Sequence, residues 1–245
     1  MQIKNSVALV TGANGGIGKY YVEGLLQSGA ARIYAGARNI ASLANIVTSD
    51  PQRVIPIQLD ITDEESVSLA ATKCQDVTLL VNNAGVGLLQ GFISATDLKS
   101  ARAEMEVNYF GTLTIIRAIA PILKANGGGA IVNMISVVAK VNLPSNGSYS
   151  ASKAAALSMT QGLRAELAAQ GTLVVAVMPG AVDAGMSKDF PPPKVAADVV
   201  VQDALQAVID GVEDVYPGEQ AKEMMAQLLK DPKAVEKWMA TMLPS

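Results

Sequence analysis

The chain has 245 residues, 50% of them apolar and 17% charged, with a formal net charge of −3, no histidine and one cysteine. The missing histidine excludes Ser-His-Asp and Cys-His hydrolases and the His-Glu-x-x-His metalloproteases. The lone Cys74 excludes an intrachain disulfide and a Cys-rich metal site.

The first six residues pass straight into a short apolar run, Val7–Val10, without the long apolar stretch of a signal peptide, and no run approaches a membrane span. A cytoplasmic protein is expected. An acidic balance without a basic run argues against a nucleic-acid partner. The acidic residues show no cluster suited to a metal, so acid–base chemistry falls to Tyr, Lys and carboxylates.

After Val7–Val10, β-branched runs recur at Arg32–Ala37, Val54–Leu59, Leu79–Asn82, Ala130–Ser136, Leu173–Met178 and Asp214–Tyr216. Between them, helical periodicity occupies 17–28, 40–49, 63–73, 96–124, 149–169 and 195–211. Unbroken apolar strands such as Leu173–Met178 suit a parallel sheet buried on both faces. The alternation predicts right-handed βαβ units, hence an α/β, doubly wound parallel sheet of about seven strands with helices on both faces. Without repeats or a low-complexity linker, one domain over 1–245 is expected. Pro191–Pro193 reads as a loop rejoining the sheet.

Thr11-Gly12-Ala13-Asn14-Gly15-Gly16-Ile17-Gly18 follows the first strand and opens the first helix. Glycines at 12, 16 and 18 permit a tight turn, close approach of a diphosphate to backbone N–H groups, and close helix–strand packing. A Walker A loop fails on spacing, because Ala13 stands where its first glycine belongs and Tyr20 follows Lys19. The second strand ends on Ala37-Arg38 instead of an acidic residue. A guanidinium can clamp a 2′-phosphate, which favours NADP(H) over NAD(H); the alternative is a solvated loop arginine.

Asp60-Ile61 closes the third strand, where it could meet an adenine edge. Asn82-Asn83-Ala84-Gly85 ends the fourth, where ligands bind in parallel sheets. Asn108 is a polar residue inside a long helical pattern, a mildly unfavourable place for asparagine. Ser136 ends the fifth strand. Tyr149 and Lys153 lie one helical turn apart on one face. An ammonium at that spacing can lower a phenol's pKa by roughly 1–3 units, making the phenol a proton shuttle, while Ser136 offers a hydroxyl to a carbonyl oxygen. Any one of these features alone is more often structural than functional.

In this order the motifs resemble the short-chain dehydrogenase/reductase family, from Lys4 to about Val182 and more loosely beyond. Thr-Gly-x-x-x-Gly-x-Gly, Asn-Asn-Ala-Gly, a helix asparagine, a serine, Tyr-x-x-x-Lys and Pro-Gly match residues 11–18, 82–85, Asn108, Ser136, Tyr149 with Lys153, and Pro179-Gly180.

The resemblance implies a Rossmann fold and an NADP(H)-dependent carbonyl reductase or ketoreductase. Tyr149 would donate the proton and Ser136 would hold the substrate oxygen. Lys153 would tune the phenol and bind the nicotinamide ribose, and Asn108 would hold a water linking Lys153 to solvent. Cofactor contacts are expected from Gly12, Asn14, Gly15, Ile17 and Gly18 in the loop, from Arg38, Asp60 and Ile61, from Asn83, Ala84 and Gly85, and from Pro179, Gly180 and Val182.

Two positions depart from the pattern. Gly15 stands where NADP(H)-preferring members often carry a basic residue, and Ala184 stands where many carry a threonine that holds the nicotinamide carboxamide. The carboxamide would then rely on backbone near Val182, on Ser187, or on water.

Val137, Val138, Leu143, Met186 and Phe190 could wall an apolar pocket for a small carbonyl or alcohol substrate. A homodimer or homotetramer is expected by resemblance. The rival readings are an NAD-dependent alcohol dehydrogenase working oxidatively, and a dinucleotide-binding signalling protein, as proposed for C-factor-like relatives.

Overall fold

The computed structural model describes residues 1–244, and a seven-stranded parallel sheet in the order β3-β2-β1-β4-β5-β6-β7 organises them. Its strands are β1 (Val7–Thr11), β2 (Arg32–Ala37), β3 (Val54–Gln58), β4 (Leu79–Asn82), β5 (Gly129–Met134), β6 (Thr172–Val177) and the two-residue β7 (Asp214–Val215). The helices are α1 (Gly16–Gln27), the single turn α2 (Ala44–Val47), α3 (Glu64–Lys73), α4 (Lys99–Met105), α5 (Thr112–Ala125), α6 (Gly147–Leu167), α7 (Ala197–Asp210), α8 (Glu219–Lys230) and α9 (Pro232–Met239).

Alternation along each strand divides the core. In β1, Ala8 and Val10 face α1 and α7, packing with Tyr21, Leu25, Val200 and Leu205. Leu9 faces the other way with Leu80 and Ile131, against Val67 of α3, Ile115 and Ile119 of α5 and Leu163 of α6. Both faces are covered, so the strands carry no polar alternation.

Two helical expectations are corrected. The single helix over 96–124 is interrupted by a π-wound segment, Glu106–Gly111, between α4 and α5; such segments recur at functional sites. The helical pattern at 40–49 is only a 3₁₀ turn, Ile40–Leu43, followed by α2. Beyond residue 216, α8 and α9 form where no element was expected. Asp231 separates them, accepting from Ala234 N–H at 3.0 Å as the N-cap of α9, with Pro232 in the first helical position.

Val137, Met224, Val235 and Met239 join these two helices to the segment after β5 in a small core of their own. No helix among the described residues is long and apolar enough to cross a membrane.

Candidate active site

A cleft of about 710 Å³ opens at the carboxyl ends of the strands. It lies where β1 has β2 on one side and β4 on the other, so that the chain order reverses. Parallel sheets bind ligands at this switch point. Gly12, Asn14, Gly15 and Ile17 line the cleft as expected, together with Gly16. Gly12 has φ +63°, and a Cβ there would stand 3.0 Å from Ala84 Cα. Gly18 does not line the cleft. Its missing Cβ would lie 2.1 Å from Gly12 O, so it serves the packing of α1 under the loop instead of touching a ligand.

At one end of the cleft stand Arg38, Asp60 and Ile61, joined by Asn39, Ser42 and Thr62, which the sequence reading missed. Arg38 is exposed and has no ion-pair partner among the described residues. Asn39 caps the 3₁₀ turn by accepting from Ala41 N–H at 3.0 Å, and Ser42 donates to Asn39 O. Asp60 Oδ1 is engaged by Thr62 N–H and O–H, at 3.0 and 2.7 Å.

Asn83, Ala84 and Gly85 line the middle. Asn83 donates through Nδ2 to Thr11 O and Gly12 O, each at 3.0 Å, and Thr11 Oγ1 accepts from Asn83 N–H and Ala84 N–H. The carboxamide thus staples β4 to β1, and it is the turn's backbone that faces the cleft.

Ser136, Tyr149 and Lys153 converge at the other end. Ser136 is buried; its Oγ donates to Pro179 O and accepts from Val138 N–H, both at 3.4 Å. Tyr149 sits beside it on the first turn of α6. The phenol's pKa is raised, first by burial and then by the negative charge of Glu104, while the neighbouring Ser136 hydroxyl pulls it down.

Lys153 is buried one turn further along α6. Nζ donates to Met134 O at 2.7 Å and lies 5.7 Å from the centre of the Tyr149 ring. Burial pushes Lys153 down to about 8.

Asn108 is buried in the π-wound segment and does not line the cleft. Its Oδ1 accepts from Val86 N–H at 2.9 Å, while Nδ2 donates to Val86 O at 2.8 Å and to Ser152 Oγ at 2.9 Å. It ties the turn after β4 to α6, behind Lys153.

Pro179, Gly180 and Val182 line the cleft after β6, with Ala184 and Ser187. Ser187 Oγ takes Val182 N–H at 3.1 Å and donates to Val182 O at 2.7 Å. Val182 and Ser187 thus satisfy each other, a competing use of the groups expected to hold a carboxamide.

A second cavity of about 320 Å³ adjoins the first and shares Ser136, Tyr149 and Met186 with it. All five expected wall residues, Val137, Val138, Leu143, Met186 and Phe190, line it. Five more come from the carboxyl-terminal region: Gln220, Met224, Trp238, Met239 and Met242. The Asp231-Pro232 start signal and the apolar spacing of Val235, Met239 and Met242 could have revealed the last three of these.

A model of the short chain dehydrogenase family matches residues 6–194. The chain belongs to this family. A short chain dehydrogenase from Burkholderia cenocepacia J2315, crystallised in complex with NADP, is 47% identical with a TM-score of 0.92, each chain covered to 100%. A short chain dehydrogenase of Monascus purpureus is 36% identical over 213 residues, 78% of this chain and 73% of its own. One from Burkholderia phymatum, in complex with NAD, shares the fold at 23% identity and a TM-score of 0.84, with 96% of each chain covered. As a short chain dehydrogenase, the protein is an oxidoreductase. Its α7 to α9 lie beyond the residues the family model matches, and α8 and α9 help to close the second cavity.

Proposed function

We propose that this dehydrogenase is an NADP(H)-dependent carbonyl reductase, in one domain, acting on ketones or aldehydes with small apolar or aromatic bodies. One observation carries the reading: the large cleft and the smaller, more apolar cavity meet at Ser136 and Tyr149. A dinucleotide in the first and a carbonyl compound in the second would confront each other across those two hydroxyls.

The cleft fits a nicotinamide dinucleotide. The N-terminus of α1 and the open backbone at Gly15 suit a diphosphate. The unpaired Arg38, flanked by Asn39 and Ser42, suits a 2′-phosphate, and the 47% identical relative crystallised with NADP supports the same choice. When bound, the cofactor supplies the hydride.

The protein's own groups handle the proton. Burial keeps Tyr149 a neutral phenol, the form that can donate to a carbonyl oxygen as negative charge develops there. Ser136 holds the same oxygen. Lys153 supplies positive charge behind the phenol and a donor for the nicotinamide ribose, and Asn108 fixes the turn that Lys153 packs against. The apolar walls exclude water from the reacting carbonyl. The exposed Phe92, Ile93 and Phe110 support a homo-oligomer.

The test follows absorbance at the nicotinamide band with a carbonyl panel, its alcohols, and both cofactors. Steady NADPH consumption with some carbonyl supports the reading. A preference for NADH, or activity on alcohols only, favours the NAD-dependent oxidative enzyme. Tight dinucleotide binding without turnover on any compound favours a sensor.

A further inference from the structure

A buried carboxylate near the active site has no part in the proton transfer as described so far. Glu104 on α4 is wholly enclosed and takes part in no ion pair among the described residues. Its Oε1 accepts from Leu88 N–H at 2.7 Å, and its Oε2 has no hydrogen-bond partner. A charge enclosed without a cation is costly to fold around. The contact gains its meaning from what Leu88 adjoins.

Residues 86–88 follow the turn at Asn83, Ala84 and Gly85 and line the cleft, and Gly87 lines the second cavity as well. A Cβ at Gly87 would stand 3.2 Å from Tyr149 Cδ2 and 3.4 Å from Cε2, so this backbone lies close against the phenol ring. The segment is fixed on either side of that contact. Asn108 takes both backbone groups of Val86, and Glu104 takes Leu88 N–H. Asn108 also donates to Ser152 Oγ, which in turn donates to Tyr149 O at 2.7 Å. Ring and main chain of Tyr149 thus rest on one frame, and Glu104 closes its far end.

Building on the carbonyl-reductase reading, we propose that Glu104 is a positioning residue for the proton donor: by holding Leu88 it keeps Gly87 against the ring of Tyr149, and so fixes the phenol relative to Ser136 and the substrate carbonyl. Its charge works in the same direction, since it adds to burial in keeping the phenol protonated, the form that donates. Misplacing a reacting group by about 1 Å can cost on the order of 10²-fold in rate.

The test is a double-mutant cycle on the rate of ketone reduction, read in single turnovers of enzyme-bound NADPH, with folding checked by thermal denaturation. Glu104→Ala should lower the rate about tenfold or more. Glu104→Gln keeps an oxygen for Leu88 N–H and should recover most of the loss. In the Tyr149→Phe background, Glu104→Ala should change the residual rate by less than about twofold, because a residue that acts through the hydroxyl then has nothing left to position. Gly87→Ala crowds the ring from the other side and leaves Glu104 in place. It should show the same pattern, and it carries the test if Glu104→Ala leaves the chain unfolded.

An equal loss with and without the Tyr149 hydroxyl marks a structural role and overturns the assignment, as does a Glu104→Ala enzyme that turns over at the wild-type rate. Either result leaves the carbonyl-reductase reading standing, because the wild type still reduces ketones. A wild type that reduces no ketone strikes that reading and this inference together.

Discussion

At the scale of single residues, the site is defined by two ionisable groups with opposite displacements, the half-buried Tyr149 and the buried Lys153. Burial raises Tyr149 and lowers Lys153. Tyr149→Phe removes one hydroxyl from the cleft without disturbing the core. General acid catalysis contributes about 10²–10⁴-fold, so kcat for ketone reduction should fall by at least the lower figure. NADPH affinity, read by fluorescence titration, should stay close to wild type; unchanged turnover would remove Tyr149 from the mechanism.

Lys153 makes a second prediction, about stability. Its folded pKa of about 8 lies below the ordinary 10.5. Between those values the unfolded chain holds a proton that the folded chain has lost, so this residue's contribution rises as pH rises from 8 to 10.5. Below pH 8 the buried ammonium costs on the order of 3 kcal/mol. Lys153→Met should abolish reduction yet relieve that cost, offset in part by about 1–3 kcal/mol for the Met134 carbonyl left without its donor. The stability of the variant relative to wild type, from denaturation of the cofactor-free protein, should therefore decline as pH is raised from 8 towards 10.5. A difference independent of pH would mean that Lys153 is not depressed in the folded state.

At the scale of elements, β4, the π-wound segment and α6 are held together by Asn108. The sequence marks Asn108 as a polar residue in a helix, but not that it takes both backbone groups of Val86. That contact spans residues distant in the chain, so no local pattern encodes it. Asn108→Ala should lower stability by about 1–3 kcal/mol and weaken NADPH binding at least tenfold, because the loosened turn carries Ala84 and Gly85 in the cleft wall. A variant that loses stability while binding NADPH normally would confine Asn108 to the core. Elements with a strong local signal, such as the glycine loop leading into α1, were legible in the sequence. The weakly apolar α8 and α9 were not, because their apolar stripe is narrow and becomes meaningful only against the segment after Ser136.

At the scale of the whole molecule, those last helices supply one wall of the second cavity. Met239 is 3% exposed and belongs both to the small carboxyl-terminal core and to the cavity wall. Met239→Ala should cost about 2–5 kcal/mol of stability and enlarge the cavity. Bulky aryl ketones should then gain in kcat/KM relative to acetophenone. An unchanged ratio, with the variant folded and NADPH bound, would place the substrate elsewhere than under α9.

The sequence alone determined the doubly wound parallel sheet, because unbroken apolar runs separated by helical periods can be buried only between two helical layers. It also determined the composition of the site, since the glycine loop, Ser136, Tyr149 and Lys153 each sit at the end or start of a recognisable element. Only the tertiary structure decided what those groups do to one another. Lys153 is bound to Met134 O and set back from the phenol, Gly18 packs under its loop, Asn83 and Asn108 are spent as staples, and one oxygen of Glu104 is left unpaired in the interior. Burial and proximity are set by segments well separated along the chain, and a pKa or an orphaned hydrogen bond exists only once those segments have met.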